Sequence, residues 1–464
     1  VQQVRLSECW RIKEYKLMIG ADLFPLSAAQ KQIWIVDRLQ GKSPEFNLQS
    51  LSYLEGSLDE RILGRAVQAI IERHESLRSH FHESEGRIFQ IYAPKIDTCI
   101  GLEEIGTGSA TEQNEQIEKI LTDEVRPMNL ADCPQLRFKL IKLGDREHIF
   151  VRTVHHLVWD AWSEGIFNYE LRTLYQTYLR RQNQFLPDLK AQYRDYVCWE
   201  RQHLADHCRV AAALQYYGTG LANPPCAIKL PTDRKRMLTS QFAAGICSLR
   251  LSSDLADSLK ALSRVYRTTI YMTLLAIFVT LLVRYTGQED FVIGTPFANR
   301  RLLEFESLIG LFVSRLVLRI HARLDMRFQE LLNKVREIAL EAYRHQSIPI
   351  ARVMSELGLA NRSMPLFQVV FAFQRVPWTS LQLENLQVSP YPSERRSIRA
   401  DLEVHCYEDS GTIETRWLYR RELFDEWRIQ KMACHFERIA RGVIANVDQR
   451  IDQLEMLRPN RNIE

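Results

Sequence analysis

His155-His156-Leu157-Val158-Trp159-Asp160-Ala161-Trp162-Ser163 is the stretch on which the reading of this chain turns. Ahead of it runs His148-Ile149-Phe150-Val151-Arg152-Thr153-Val154, strand-like in its apolar and β-branched content. Behind it runs Glu164-Gly165-Ile166-Phe167-Asn168-Tyr169-Glu170-Leu171, which reads as helix. The two histidines therefore end a strand, and Asp160 lies in the turn before a helix. Side chains alternate along a strand, so His155 and His156 point to opposite faces. One can enter a cleft while the other is buried behind it, and a cleft imidazole is a ready proton acceptor near neutral pH. A plainer reading is one satisfied core histidine beside a half-exposed one. Opposed neighbours cannot share an ion, and no further His or Cys stands at ligand spacing, so no metal is expected.

The 464 residues suffice for two ordinary domains or one large two-lobed unit. A hydrophobic content of 46% and a charged content of 25% are those of a soluble globular protein. The net charge of +4, without a Lys/Arg block, argues against nucleic acid. Nine cysteines without a Cys-x-x-Cys pair suit reduced thiols in the cytoplasm better than a disulfide framework. The chain starts at Val1 without a signal peptide, and so reads as a monomeric piece of a longer polypeptide. Its most apolar run, Ile270 to Val283, is broken by Thr273 and Thr280, is short for a membrane span, and reads as a core helix.

Ser27 caps a helix through about Leu39, and Ile62/Leu63, Ala66/Val67 and Ile70/Ile71 mark an amphipathic helix ending near His74. Leu136, Phe138 and Leu140 alternate as a strand, and Gly144-Asp145 turns the chain into the strand that carries the histidines. A helix from Trp162 to about Leu179 closes a first lobe, 21–185. The polar run Arg180 to Gln184 marks the boundary to a second lobe, 186–464. There, helices are expected at 253–265, 269–285, 325–343 and 426–446, and strands at 290–293, 367–374, 401–407 and 412–419. Gly294-Thr295-Pro296 reads as a turn. Both lobes mix helix with sheet, an α+β class.

In order along the chain, further motifs accompany the histidines. They are Leu26-Ser27-Ala28-Ala29-Gln30 running to Ile33-Trp34; Arg73-His74-Glu75-Ser76-Leu77-Arg78; Tyr193-Arg194-Asp195-Tyr196 running to Trp199; Gly294 to Arg300; Ile309-Gly310-Leu311-Phe312-Val313; His345 to Pro349; and Arg362 to Leu366. The ordered set resembles the condensation domains of nonribosomal peptide synthetases. That resemblance implies two chloramphenicol-acetyltransferase-like lobes in a V-shaped pseudo-dimer, with the histidine motif midway along a central tunnel. It implies an acyltransferase that forms an amide between a donor acyl thioester and an acceptor aminoacyl thioester, in the making of peptide or hybrid polyketide products. Both substrates would arrive on the 4′-phosphopantetheine of upstream and downstream carrier domains, beside an adenylation domain, with no bound cofactor, nucleic acid or membrane.

On family position His156 stands at the reaction centre, as general base or as the group that orients the amine or the oxyanion. His155, Asp160 and Ser163 complete the candidate catalytic set, with Ser163 or its neighbouring amides a candidate for the oxyanion. His155 reads as structural. Asp160 is either a direct relay to histidine or one half of a buried ion pair with Arg78 or Arg300. Trp162 and Ala161 support the turn, and Ser314, Arg315 and Trp199 are candidates for the tunnel wall. Arg73, Glu75 and Arg78 read as a charge network, and the Gly294 turn as the tunnel floor.

The chain also departs from the pattern. Ala161 replaces the usual glycine, at a cost of about 1 kcal/mol if φ is positive there. Ser314-Arg315 stands for Asn-Thr, and Ser347-Ile348 for Asp-Tyr. Trp162-Ser163 argues against an epimerisation domain, and the intact histidines argue against a heterocyclisation domain. Ala161 and Arg315 are the support for a non-catalytic recruitment module.

Overall fold

A computed structural model of the chain describes residues 23–41, 44–106, 108–182, 186–221, 223–236, 243–346, 348–359, 365–374, 381–391, 398, 400–409 and 411–456. Ser347 and residues 362–364 of the sequence motifs lie outside them. The described residues divide into two units. The first takes those within Val1–Asp206, Ala298–Val313 and Val376–Ser393, and the second takes the rest. The division thus falls later than the boundary expected at 185/186, and two segments of the later chain return to the first unit. Contact along sequence, which a polar linker marks, is a poor guide where strands and loops pair across long separations.

The first unit contains β1 (Leu23–Pro25), α1 (Ala28–Gln40), β2 (Asn47–Gly56), α2 (Glu60–Arg73), β3 (Ser79–Ser84), β4 (Arg87–Tyr92), β5 (Gly101–Glu104), α3 (Ala110–Glu124), β6 (Leu136–Gly144), β7 (Glu147–His155), α4 (Ala161–Leu179) and α5 (Tyr193–Leu204). The second contains α6 (His207–Leu221), β8 (Ala244–Leu251), α7 (Ser253–Val265), α8 (Ile270–Thr286), β9 (Asp290–Phe297), β10 (Ser314–His321), α9 (Phe328–Arg344), α10 (Ile350–Glu356) and β11 (Val369–Gln374). After β12 (Leu386–Pro390), which belongs to the first unit, come β13 (Leu402–Asp409), β14 (Thr412–Arg420) and α11 (Glu426–Ala445).

The first unit is organised by β7. It lies inside the sheet β12-β2-β7-β6-β5, antiparallel to β2 and β6. Phe150 and Val154 face a core shared with Leu63, Val67, Ile70 and Ile71 of α2 and with Ile166, Phe167 and Leu171 of α4. Ile149 and Val151 face the other way, onto Ile117, Ile120 and Leu121 of α3. Helices on both faces explain why β7 reads as a continuous apolar run instead of alternating. The spacing of the α2 residues puts them on one helical stripe, and each is worth roughly 1.5–3 kcal/mol of burial. Asp59 starts α2 by accepting from the Ile62 amide at 2.9 Å.

The second unit has the sheet β10-β9-β11-β13-β14-β8, packed on α7, α8, α9 and α11. From Tyr271 to Val283 every residue of α8 is buried. Its threonines satisfy their hydroxyls locally, Thr280 on Ala276 O at 3.0 Å and Thr273 with Ser263 at 2.7 Å. Gly287 ends the helix at φ +66°, where a side chain would be strained. No single described helix is long and apolar enough to cross a membrane.

Gly294-Thr295-Pro296 is not a turn. It continues β9, with Gly294, Thr295 and Pro296 opposite Val317, Leu316 and Arg315 of β10. Proline fits because β9 meets β11 at Gly294 and Val370, and Pro296 lies beyond that point. Tyr271, near the start of α8, donates to Thr295 Oγ1 at 3.0 Å.

Candidate active site

The register of β2 and β7 sets Asn47 opposite His155, and β7 ends there. One 3-10 turn, His156–Val158, follows, and Asp160 then caps α4. Only His155 belongs to the strand, and His156 opens the turn, so strand alternation does not extend to it. His155 is 1% exposed, and His156 is half-buried. His155 Nδ1 accepts the Leu157 amide at 3.1 Å, so its neutral ring carries the proton on Nε2, which faces Asp37 Oδ1 at 3.8 Å. Burial holds its pKa below the ordinary histidine value, with Asp37 opposing. His156 Nδ1 lies 2.6 Å from the Trp159 carbonyl. A carbonyl can only accept, so Nδ1 carries the proton and Nε2 holds the basic lone pair of the neutral ring.

Asp160 is a hub of the first unit. Oδ1 accepts the Ser163 amide at 2.8 Å and the Ser163 hydroxyl at 2.7 Å. Oδ2 accepts the Phe312 and Val313 amides at 3.0 and 3.2 Å. Arg300 Nη2 bonds both oxygens, at 3.0 and 3.3 Å. The Asp160 and Arg300 side chains are 1% and 2% exposed. Arg300 also donates to the carbonyls of Phe305 and Leu308, and its guanidinium lies 3.8 Å from the Phe312 ring centre. Burial lowers the Arg300 pKa and the Asp160 carboxylate resists that shift. With its oxygens so engaged, Asp160 serves as cap and ion-pair partner, not as a relay to histidine.

Ser163 is buried, and its hydroxyl is taken up by Asp160, Gly310 O at 2.9 Å and the Gly310 amide at 3.0 Å. The expectation that it faces an oxyanion is corrected: it ties α4 to residues 309–313. Trp162 Nε1 donates to Glu306 O at 2.8 Å and pins the same segment. Ala161 is the exposed first residue of α4 and is not among the residues with positive φ, so the strain expected of a non-glycine there is absent.

Gly310 is required by close approach. A Cβ there would lie 2.3 Å from Tyr193 Cδ2, a ring held by its hydroxyl on Leu311 O at 2.6 Å. Gly310→Ala is expected to cost about 1–3 kcal/mol by overpacking. An unchanged chemical-denaturation midpoint would show that the segment yields.

Glu200 of α5 accepts the Ala28 amide at 2.8 Å and the Tyr196 hydroxyl at 3.0 Å, joining α5 to the start of α1. Its pKa is raised by burial, against those hydrogen bonds. Between its ordinary value of 4.5 and the raised one, the native state binds more protons, so this group's contribution is lost as pH rises through that window. Glu200→Gln should therefore compare worst with the parent at low pH and improve toward neutral pH. Melting curves across pH would check the sign.

Of the arginine-rich motif, Arg73 and His74 both bond Glu170, at 2.9 Å each. Ile309 N donates to His74 Nδ1 at 3.3 Å, and Ser76 bonds Ile309 O at 2.6 Å. Buried Glu75 pairs with Arg194. Arg78 is not Asp160's partner: it donates to the carbonyls of Ile71, Pro94, Ala93 and Glu72. Trp199 is a packing residue, among Tyr196, Phe305 and His203 rings. Ser314 and Arg315 begin β10 in the second unit, with Arg315 exposed. There burial pushes Glu403 up, but His405 and Arg315 outweigh it and keep the carboxyl below its ordinary range.

Sequence reasoning missed Gln30, Asp37, Tyr193 and Glu200 as parts of this architecture. Gln30 and Tyr193 stand in the motifs that begin at Leu26 and at Tyr193, and Asp37 and Glu200 lie just past their ends, but spacing says nothing about which group a side chain meets. Among the described residues no group of three His, Cys, Asp or Glu could hold a metal ion, and no disulfide joins the cysteines.

The family model described as "Condensation domain" matches residues 21–463. One of the linear gramicidin synthase subunits of Brevibacillus parabrevis is 35% identical over 93% of this chain and 9% of its own length. Malpibaldin synthetase of Mortierella alpina is 34% identical over 93% of this chain and 8% of its own. The chain thus spans about a tenth of the length of such relatives. Among solved structures, the first condensation domain of the CDA synthetase aligns with TM-score 0.75 at 18% identity, over 94% of this chain and 99% of its own. The X-domain from teicoplanin biosynthesis aligns with TM-score 0.81 at 23% identity, over 93% and 97%.

Proposed function

We propose, on the premise that this chain belongs to the condensation-domain family of nonribosomal peptide synthetases, that it forms an amide between a donor acyl thioester and an acceptor amine. Both groups would arrive on phosphopantetheine arms of carrier domains in a larger synthetase. The observation that carries the chemistry is the His156 Nδ1–Trp159 O bond, which leaves Nε2 of the neutral ring as the proton acceptor. The acceptor nitrogen attacks the thioester carbon. The C–N bond forms, the C–S bond breaks, and the proton lost by nitrogen passes through His156 Nε2 to the departing sulfur, giving an amide and a free thiol.

The physical demand is modest. An α-amino group has a pKa of about 8, so a useful fraction is neutral at physiological pH. Holding amine and thioester at attack distance supplies several kcal/mol, and a positioned base adds about 10²–10⁴-fold. The rigid hub around Asp160 keeps the histidine turn fixed during that encounter.

The test is intact-mass analysis of donor- and acceptor-loaded carrier proteins incubated with the chain. Movement of the donor mass onto the acceptor is the expected result. Carrier binding without transfer, over a varied donor set, would replace this reading by a recruitment role.

A further inference from the structure

Leu157, the residue after His156, is held through both of its backbone groups. Its N–H is accepted by His155 Nδ1 at 3.1 Å, and its C=O accepts from Gln30 Nε2 at 3.0 Å. Behind His155 Nε2 stands Asp37 Oδ1 at 3.8 Å. Gln30 and Asp37 lie seven residues apart on α1, so they share one face of that helix. Gln30 is itself locked: its Oε1 accepts the Ser27 amide at 3.0 Å, and Nε2 also meets Gln90 Oε1 at 3.2 Å. Gln30 and His155 are each 1% exposed.

We propose that α1 is a positioning element for the reaction: Gln30 fixes Leu157 from its carbonyl side, and Asp37 fixes it from its amide side by holding His155 in the Nε2–H form. This rests on the reading of His156 as the reacting group. The chemical reason is tautomeric. A proton on His155 Nδ1 would point at the Leu157 N–H, and that bond would break. Asp37 is the charged group that faces this ring, and the Phe46 ring packs beside it at 6.0 Å. Asp37 thus stabilises the one protonation pattern that lets the turn close. Two turns of one helix thereby fix the backbone of the residue that follows His156, at its N–H and at its C=O.

Three variants test this. Gln30→Glu keeps the shape and the acceptor for Ser27 N, but it removes the donor to Leu157 O. Asp37→Asn keeps the shape and can present an amide donor to His155, and Asp37→Glu restores the carboxylate. Long-range proton–nitrogen NMR on histidine-labelled protein reads which His155 nitrogen carries the proton. We expect kcat for carrier-to-carrier transfer to fall about 10- to 100-fold in Gln30→Glu and Asp37→Asn, with KM for either carrier within about twofold of the parent. Asp37→Asn should move the His155 proton to Nδ1, and Asp37→Glu should return both the Nε2–H form and most of kcat. Circular dichroism and melting temperature accompany each variant.

The proposal is overturned if Asp37→Asn leaves the tautomer in place, or if both isosteric variants retain kcat. A kcat loss that only follows the fraction of folded protein also overturns it. If the parent protein makes no amide, the functional reading fails. The tautomer in Asp37→Asn and the Leu157 amide shift in Gln30→Glu then still decide the positioning claim.

Discussion

Arg300→Leu is expected to destabilise the first unit by about 3–5 kcal/mol, because it strands the Asp160 carboxylate in a dry interior. The remaining donors, from Ser163, Phe312 and Val313, are neutral dipoles and cannot replace a charge. The loss should spread to segment 298–313, since Arg300 also gathers the carbonyls of Phe305 and Leu308. Chemical denaturation followed by tryptophan fluorescence would report it, Trp162 being tied to Glu306 in that segment. Pairing the change with Asp160→Asn should recover part of the loss, because no uncompensated charge is left. An additive double variant, or an Arg300→Leu midpoint equal to the parent's, would contradict the hub. Loss of amide formation in Asp160 variants would accordingly report a collapsed scaffold and not a missing relay.

His156→Ala is expected to lower amide formation by about 10²–10⁴-fold while costing only about 0.5–1.5 kcal/mol for the bond to Trp159 O. The residue is half-buried, and its neighbours Leu157 and Asp160 keep their own partners. The loss should therefore appear in rate with the denaturation curve nearly unmoved. Added imidazole separates the two roles open to this histidine. A freely diffusing base that restores part of the rate supports proton acceptance by Nε2. A rate indifferent to imidazole supports orientation of the amine or the oxyanion. Undiminished transfer by His156→Ala would leave positioning alone as the source of catalysis.

Much of the local structure was legible. The Ser27 cap, the α2 stripe, the Gly144-Asp145 turn, α8 and the β13–β14 pair follow from capping chemistry and periodicity, which act over a few residues. The unread parts depend on distant partners. The strand β2 carries mixed polar and apolar residues, and it is strand because β7 and β12 flank it. Pro296 suggested a turn, yet its missing N–H is harmless beyond the β11 ladder. Ala161 looked strained because glycine is usual there, yet the backbone it occupies is ordinary helix. The choice between Arg78 and Arg300 could not be made from sequence, since both arginines sit in motifs and only the closure of 298–313 brings one of them to Asp160.

The residues taken one after another carry the chemistry on offer and its local frame. Two adjacent histidines stand at the end of a strand, an aspartate caps the next helix, and the ordered motifs name the family. Those depend on hydrogen-bonding capacity and on identity, both of which are written residue by residue. Folding decided which nitrogen of each imidazole carries the proton, which arginine neutralises Asp160, and that Ser163 is spent on Gly310. The last two depend on a guanidinium and a glycine backbone 140 and 147 residues along the chain, whereas the imidazole protons are placed by the nearby Trp159 carbonyl and Leu157 N–H. Desolvation makes such partners obligatory, because a buried charge or polar group left alone costs kilocalories. The fold selects among alternatives that the sequence leaves equal.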